Sequence, residues 1–190
     1  MKLFIFDFDD TLALSNSRIV VNHADGTQSV LDSREFAKYV ADPSDKLDFS
    51  QFTEASGTII WNVAEIFRRT LDDPNCDTFI VTARAHGQPV KEFIEKELGL
   101  AGVRVVATAG SSGKVPWLVN QLQQKDYEEV VIFEDCRNNL KALGDAINAH
   151  NLEKRGIDQY INVVKHCVLP DQSVQILEKL RRKIRNIILA

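Results

Sequence analysis

The sequence predicts an α/β protein with a doubly wound, parallel, five-stranded sheet of Rossmann-like type. Short runs of consecutive apolar residues, mostly β-branched or aromatic, are typical of strands that are covered on both faces. Segments with apolar residues at helical spacing lie between these runs, and this alternation is typical of parallel sheets with right-handed crossovers. A chain of 190 residues is long enough for one such domain with an insertion.

The elements are predicted in chain order from these patterns. The strands are expected at 3–6, 78–81, 103–107, 130–133 and, from a weaker pattern, 160–164. The helices are expected at 60–71, 89–98, 116–122 and 140–147. Gly99 follows the second of these helices and predicts its end.

Residues 13–58 interrupt the alternation, so the predicted core comprises 1–12 and 59–190. The interruption contains the turn signals Asp25-Gly26 and Pro43-Ser44-Asp45. A structureless loop of that length is rare within a domain, which favours a small insertion, partly β and partly helical. Ligands of open α/β sheets bind outside the carboxyl ends of the strands, so we expect the insertion to cap that edge. The alternative is a surface excursion without a role in chemistry.

The C-terminal segment 171–190 is predicted to be one helix. Its apolar stripe comprises Val174, Leu177, Leu180, Ile184 and Ile187, and basic residues occupy much of the remaining surface. The simpler interpretation is a terminal helix that packs on the sheet and exposes its basic face. The alternative is a contact with a phosphate backbone or another partner.

Composition places the chain among ordinary globular proteins. Hydrophobic residues make up 44% and charged residues 26%, and the net charge of −4 indicates no overall attraction to nucleic acid or anionic membranes. Three cysteines without a CxxC pair indicate reduced thiols, and the apolar run before Asp7 is too short for a signal peptide or a membrane span. We expect a cytoplasmic protein without a membrane association or an obligate protein partner.

The clearest chemical signal is the sequence Asp-Phe-Asp-Asp-Thr-Leu at 7–12, directly after the first predicted strand. Extended backbone would point Asp7 and Asp9 the same way, at the carboxyl edge of the sheet. Clustered carboxylates repel one another and are costly to bury unless a cation neutralises them. Oxygen ligands favour Mg²⁺, which is therefore the predicted cofactor. The alternative is a solvated turn with incidental acids.

Three further candidates each have a structural alternative. Thr82 ends the second predicted strand and would by itself be a threonine that bonds local backbone. Arg84 is a candidate for a substrate contact, and surface pairing is its alternative. Lys114 opens a helix after Gly113, where a lysine is usually a solvated surface residue.

The motif at 7–12 resembles the first motif of the haloacid dehalogenase superfamily, Asp-x-Asp-x-Thr-Leu. The resemblance extends over most of the chain. Ile-Val-Thr-Ala-Arg at 80–84 is similar to the second motif, Lys114 to the third, and Phe-Glu-Asp at 133–135 with Asn139 to the fourth. Two positions depart from the common pattern. Many members have glycine where Asp10 stands, and the fourth motif more often has Asp-Asp or Gly-Asp than Glu-Asp.

The resemblance implies a role for each matching residue. Asp7 would be the nucleophile that is phosphorylated, and Asp9 would be the general acid and base. Thr82 would donate its hydroxyl to a phosphoryl oxygen, and Lys114 would supply a positive charge to the same group and to Asp7. Asp135 would complete a metal site with Asp7 and the backbone carbonyl of Asp9. Glu134 or Asn139 would support that site, although which residue of the fourth motif touches the metal stays open.

An acid at position 9 implies phosphoester cleavage, because dehalogenases of the family lack it. The implied function is a Mg²⁺-dependent phosphomonoester hydrolase. Its implied substrate is a nucleotide, a 3′-phosphate end of nucleic acid or a small phosphorylated metabolite. The 3′-phosphate end is included because the chain is loosely similar to the phosphatase domains of phage-type polynucleotide kinases. A phosphotransferase and an inactive protein that binds a phosphorylated ligand or partner are the alternatives.

Overall fold

Helices flank both faces of a mostly parallel central sheet of six strands, so the architecture is mixed α/β and broadly Rossmann-like. The computed structural model describes residues 1–36, 38–153 and 160–180. The strands are β1 (Lys2–Phe6), β2 (Ala13–Ser15), β3 (Ile19–Asn22), β4 (Gln28–Leu31), β5 (Lys46–Asp48), β6 (Gly57–Ile59), β7 (Cys76–Thr82), β8 (Val105–Ala107), β9 (Glu129–Glu134), β10 (Asn162–Val168) and β11 (Val174–Leu180). The helices are α1 (Ser33–Phe36), α2 (Trp61–Leu71), α3 (Gln88–Leu98), α4 (Lys114–Gln124) and α5 (Arg137–Glu153).

The order of strands in the central sheet is β11-β10-β9-β1-β7-β8. All neighbours are parallel except β10 and β11. The chain builds the sheet outward from β1 to β7 and β8, and then returns to the other side of β1 for β9 and β10. This reversal creates a switch point between β1 and β9, where open α/β sheets bind their ligands.

Side chains alternate along the strands and build one hydrophobic core on each face. Phe6 of β1 packs in a cluster with buried residues of α2 and α3, including Phe67. Leu3 of the same strand packs in the other cluster, with buried residues of α4 and α5 such as Leu118. The predicted α/β class, with helices on both faces of the sheet, is therefore confirmed.

The chain between β1 and α2 leaves the carboxyl edge of the sheet and forms two small antiparallel sheets and the short helix α1. β2 pairs with β6 at the base of this excursion, and β4, β3 and β5 form a three-stranded sheet beyond it. Gly57 allows the base to close, because a Cβ at this position would lie 2.1 Å from the carbonyl oxygen of Leu14. We call residues 13–59 the insertion.

The prediction of a C-terminal helix was wrong for the part of 171–190 that the structure describes. Residues 174–180 form β11, which pairs antiparallel with β10 and raises the number of strands from five to six. A turn with Gln172 at φ 64° and a hydrogen bond from Leu169 N–H to the Ser173 carbonyl folds the segment back onto the free edge of β10. The weakly predicted strand at 160–164 begins and ends later, at Asn162–Val168. Residues 181–190 of the predicted helix lie outside the described residues.

Within the described ranges, no helix combines the length and apolar character that crossing a membrane requires.

Candidate active site

The candidate site lies at the switch point, where β1 and β9 end side by side. Asp7 directly follows β1, and its backbone N–H donates to the carbonyl of Phe133 in β9 at 2.9 Å. Glu134 is the last residue of β9, and Asp135 follows it. Because the two strands are parallel neighbours, these acids meet at one edge of the sheet. One carboxylate oxygen from each of Asp7, Glu134 and Asp135 lies within 4.8 Å of the others.

A buried ammonium group connects two of these carboxylates. Lys114, the first residue of α4, is only 2% exposed. Its Nζ donates to Glu134 Oε2 at 2.7 Å and lies 2.9 Å from Asp7 Oδ1. Burial by itself would lower the pKa of Lys114, but the charges of Asp7 and Glu134 outweigh burial and raise this pKa, so the side chain stays protonated.

The three carboxylates are groups that could hold a divalent cation. If all three carboxylates were ionised, they would exceed the single ammonium by two negative charges, and Asp7 and Glu134 are buried. Burial, reinforced by Glu134, raises the pKa of Asp7 despite the opposing charge of Lys114. Burial and the charge of Asp7 raise the pKa of Asp135 to about 7. The carboxylates are therefore costly to ionise together, and their oxygen donors suit Mg²⁺.

Asp9, whose backbone carbonyl the family resemblance assigns to the metal, uses its side chain for an ion pair. Its side chain forms a bidentate ion pair with Arg84, with Nη2 2.7 Å from Oδ1 and Nε 3.0 Å from Oδ2. The three-carboxylate cluster consists of Asp7, Glu134 and Asp135 and does not include the carboxylate of Asp9. Arg84 reaches Asp9 directly because β7 is the other neighbour of β1 and Arg84 lies just past the end of β7.

The guanidinium of Arg84, a candidate for a substrate contact, has protein partners on all three nitrogens. Besides Asp9, it donates to the hydroxyls of Ser15 and Ser17 at 3.0 Å and to the carbonyl of Glu54 at 2.7 Å. These three partners belong to the insertion. The side chain is 1% exposed, so Arg84 is a buried connection between Asp9 and the insertion.

Thr82 lies at the end of β7 and is fully buried. Its hydroxyl accepts a hydrogen bond from the backbone N–H of Arg84 at 3.2 Å, which is the local bond expected of a strand-end threonine. The structure does not place Thr82 in the lining of the cavity described next.

The other predicted site residues line one cavity of about 580 Å³. They are Asp7, Asp9, Arg84, Lys114 and Asp135. Glu134 and Asn139 also line it, and Asn139 Nδ2 donates to Glu134 Oε1 at 3.2 Å. The structure thus brings residues from four separate segments of the chain to a single space.

Asp10 provides a second connection to the insertion. Its backbone has φ 58°, a conformation that favours glycine but also accepts aspartate, which explains how an acid can stand there. Its carboxylate lies 3.4 Å from Nε of Arg34 in α1. The sequence showed Arg34 only as one charge of the insertion, and no pattern pointed to this pairing.

Three phenylalanines of the insertion, Phe36, Phe49 and Phe52, also line the cavity and were not among the predicted site residues. A signal for them exists in the sequence, because they are large aromatic residues in a segment that is otherwise rich in charge and turn residues. Periodicity could not show that they face the site, since the insertion lacks a regular strand–helix pattern.

The cavity contains three sets of charged groups. The Asp7 carboxylate is held by the Lys114 ammonium, and Glu134 and Asp135 are a neighbouring pair of acids that suits a divalent cation. The Asp9 carboxylate is fixed by Arg84. Such a set can provide a nucleophile, positive charge for an anionic group and a proton donor or acceptor.

Comparison of the chain with protein-family models, with curated proteins and with solved structures finds no match.

Proposed function

We propose that the protein is a Mg²⁺-dependent phosphomonoester hydrolase of the haloacid dehalogenase type that acts through an aspartyl phosphate on Asp7. The observation that carries the proposal is the position of Lys114 Nζ between Asp7 and Glu134, beside Asp135 at the switch point. A phosphoryl group in this place would meet a nucleophile, an ammonium and the donors for a divalent cation together. The motif resemblance supports the same assignment.

In the first step, a carboxylate oxygen of Asp7 attacks phosphorus, and the bond from phosphorus to the ester oxygen breaks. In its protonated form, Asp9 gives a proton to the departing oxygen and becomes the carboxylate with which Arg84 pairs. Lys114 holds Asp7 in place and offsets the negative charge of the phosphoryl oxygens. Asp7, Glu134 and Asp135 would hold Mg²⁺, which supplies further positive charge for those oxygens.

In the second step, a water oxygen attacks the phosphorus of the aspartyl phosphate, while Asp9 accepts a proton from that water. The bond from phosphorus to the Asp7 oxygen breaks, which regenerates the carboxylate and releases inorganic phosphate. Arg84 acts through Asp9 as a positioning residue, because its two hydrogen bonds fix the orientation of that carboxylate.

The test measures release of phosphate from p-nitrophenyl phosphate and from glycerol 2-phosphate, with Mg²⁺ and with a chelator. We expect turnover that requires the metal and a loss of at least ~100-fold in kcat for Asp7→Asn, because the substitution removes the nucleophile. Asp25→Asn, which changes an acid in an exposed turn of the insertion, is the matched control. Acid-quenched protein should carry phosphate on Asp7, detectable by mass spectrometry.

Absence of Mg²⁺-dependent turnover on both substrates would contradict the proposal and favour an inactive protein that binds a phosphorylated ligand. Formation of a phosphorylated product only when an alcohol acceptor is added would identify a phosphotransferase instead. Equal activities of Asp7→Asn and the parent protein would assign the nucleophile elsewhere.

A further inference from the structure

The lining of the cavity has two chemically different parts. The acids and Lys114 at the switch point form the charged part. The phenylalanines of the lining all come from the insertion. They are Phe36, Phe49 and Phe52, which we call the aromatic wall. A phosphate needs only the charged part, so the aromatic wall is available for the rest of the substrate.

The rings of the aromatic wall pack on one another edge to face. The ring centroids of Phe36 and Phe49 are 5.5 Å apart with an interplanar angle of 85°, and those of Phe49 and Phe52 are 6.0 Å apart at 65°. The guanidinium carbon of Arg84 lies 4.7 Å from the centroid of Phe52, so this ring is held by the same arginine that holds Asp9. The wall is therefore attached to the catalytic end of the cavity.

Phe49 is the ring with the most free surface. It is 45% exposed although it packs against both of its neighbours. A large aromatic side chain that is left open beside a cavity is typical of a surface that binds a ligand. A flat ring system can stack on such a surface, whereas a hydroxylated aliphatic group would lose hydration there without gaining partners.

We propose that the aromatic wall stacks the base of a nucleoside monophosphate, so that the substrate is a phosphorylated nucleoside rather than a sugar phosphate or glycerol phosphate. The inference rests on the proposed function. A cavity of about 580 Å³ accommodates a ligand of this size. His86, Asn138 and Asn139 supply polar groups in the same lining.

The charge of the insertion favours a free nucleotide over the end of a polymer. Residues 13–59 contain four basic and seven acidic side chains, so their formal charge is −3. Additional phosphates of an oligonucleotide would pass close to this negative segment, and proteins that track a nucleic acid backbone present positive charge instead. A single nucleotide brings only the phosphate that the site itself binds.

The experiment compares kcat/KM for adenosine monophosphate, an oligonucleotide with a 3′-phosphate and glycerol 2-phosphate. We expect the mononucleotide to exceed glycerol 2-phosphate by roughly 10-fold or more, because stacking of one base on an aromatic side chain contributes about that factor. Phe49→Ala should lower kcat/KM for the mononucleotide by a similar factor, mainly through a higher KM. The same substitution should leave kcat/KM for glycerol 2-phosphate within about twofold of the parent value. Phe49→Trp should retain the preference for the mononucleotide over glycerol 2-phosphate. Val40→Ala, at an 89% exposed position of the insertion, is the matched control.

A second measurement separates this inference from the proposed function. Calorimetry with unphosphorylated adenosine reports stacking without any turnover, and Asp7→Asn should bind it as the parent does while Phe49→Ala binds it more weakly. Equal effects of Phe49→Ala on all substrates, or adenosine binding that does not depend on Phe49, would overturn the inference. A preference for the oligonucleotide would replace the free nucleotide by a nucleic acid end. Turnover of glycerol 2-phosphate without any preference for nucleotides would refute the inference and leave the hydrolase standing.

Discussion

At the scale of single residues, Lys114 has a larger role in the site than its position at the start of a helix indicates. A lysine at the start of a helix is ordinarily solvated, yet this one is buried between Asp7 and Glu134. Its pairing makes the crowding of acids at the switch point tolerable in the folded protein. Removing one member of a buried charge network leaves the others unpaired, which destabilises far more than loss of a surface pair does.

Lys114→Met should lower the free energy of unfolding by about 3 kcal/mol in metal-free buffer, because two buried carboxylates lose their counter-charge. Urea denaturation of both proteins measures the difference. Lys96→Met, which removes an 83% exposed lysine, should change stability by less than about 0.5 kcal/mol. Similar stabilities of Lys114→Met and the parent would show that the network does not hold in solution.

Arg84→Lys should lower kcat by roughly 10- to 100-fold with a much smaller change in KM, because a lysine cannot fix both carboxylate oxygens of Asp9. Steady-state kinetics separate the two parameters. Arg104→Lys changes an arginine that pairs with Asp77, away from the cavity, and serves as the control. A purely structural role for Arg84 would reduce the amount of folded protein while the folded fraction kept its kcat.

At the scale of elements, the C-terminal segment shows where periodicity fails. The apolar residues at 174, 177 and 180 suit a helix, but 174 and 176 also suit a strand. The open edge of β10 and the turn before Ser173 decide between these possibilities, since pairing satisfies the backbone groups of both strands. Neither of these features can be recognised from the spacing of side chains.

Asp77 of β7 joins three elements and predicts a pH dependence of stability. It accepts hydrogen bonds from Arg104 before β8, and from Lys125 and Tyr127 after α4. Burial would raise the pKa of Asp77, but the hydrogen bonds from Lys125, Tyr127 and Arg104 together outweigh burial and lower it. The folded state thus binds protons less readily at Asp77, so its contribution to stability is complete above the pKa of the unfolded chain and is lost as pH falls through the lower folded value.

Asp77→Asn should therefore reduce the free energy of unfolding by about 2 kcal/mol near neutral pH, and the difference from the parent should shrink below about pH 4. Denaturant titrations across this pH range give the comparison. Glu97→Gln, at an exposed carboxylate, should show little difference at any pH. A gap that stays constant down to acid pH would contradict the assigned role of the carboxylate.

At the scale of the whole molecule, the insertion and the core are joined through the same residues that form the site. Arg84 connects Asp9 to Ser15, Ser17 and Glu54, and Arg34 pairs with Asp10. The cavity is therefore bounded by the core and the insertion together. Changes in the position of the insertion would alter the orientation of Asp9 as well as the space for substrate.

Binding of Mg²⁺ should stabilise the folded protein as a whole. At a metal concentration of about 100 times Kd, the gain is about 2.7 kcal/mol, which corresponds to a rise in Tm of roughly 5–10 °C for a chain of this size. Asp135→Asn should lose most of this rise, while Asp25→Asn should keep it. Thermal unfolding with increasing Mg²⁺ provides the measurement, and an equal rise in Asp135→Asn would place the cation elsewhere.

The sequence by itself determined the α/β class, the presence of helices on both faces of the sheet and the position of Asp7 at the end of a buried strand, because these depend on local patterns of apolar residues. Only the tertiary structure decided that Arg84 holds Asp9, that Lys114 also pairs with Glu134, and that 174–180 is a strand. Each of these three findings involves residues that are distant in the chain. The sheet order and the turns that bring the segments together determine which residues become partners. Side-chain spacing along a single segment carries no information about such partners.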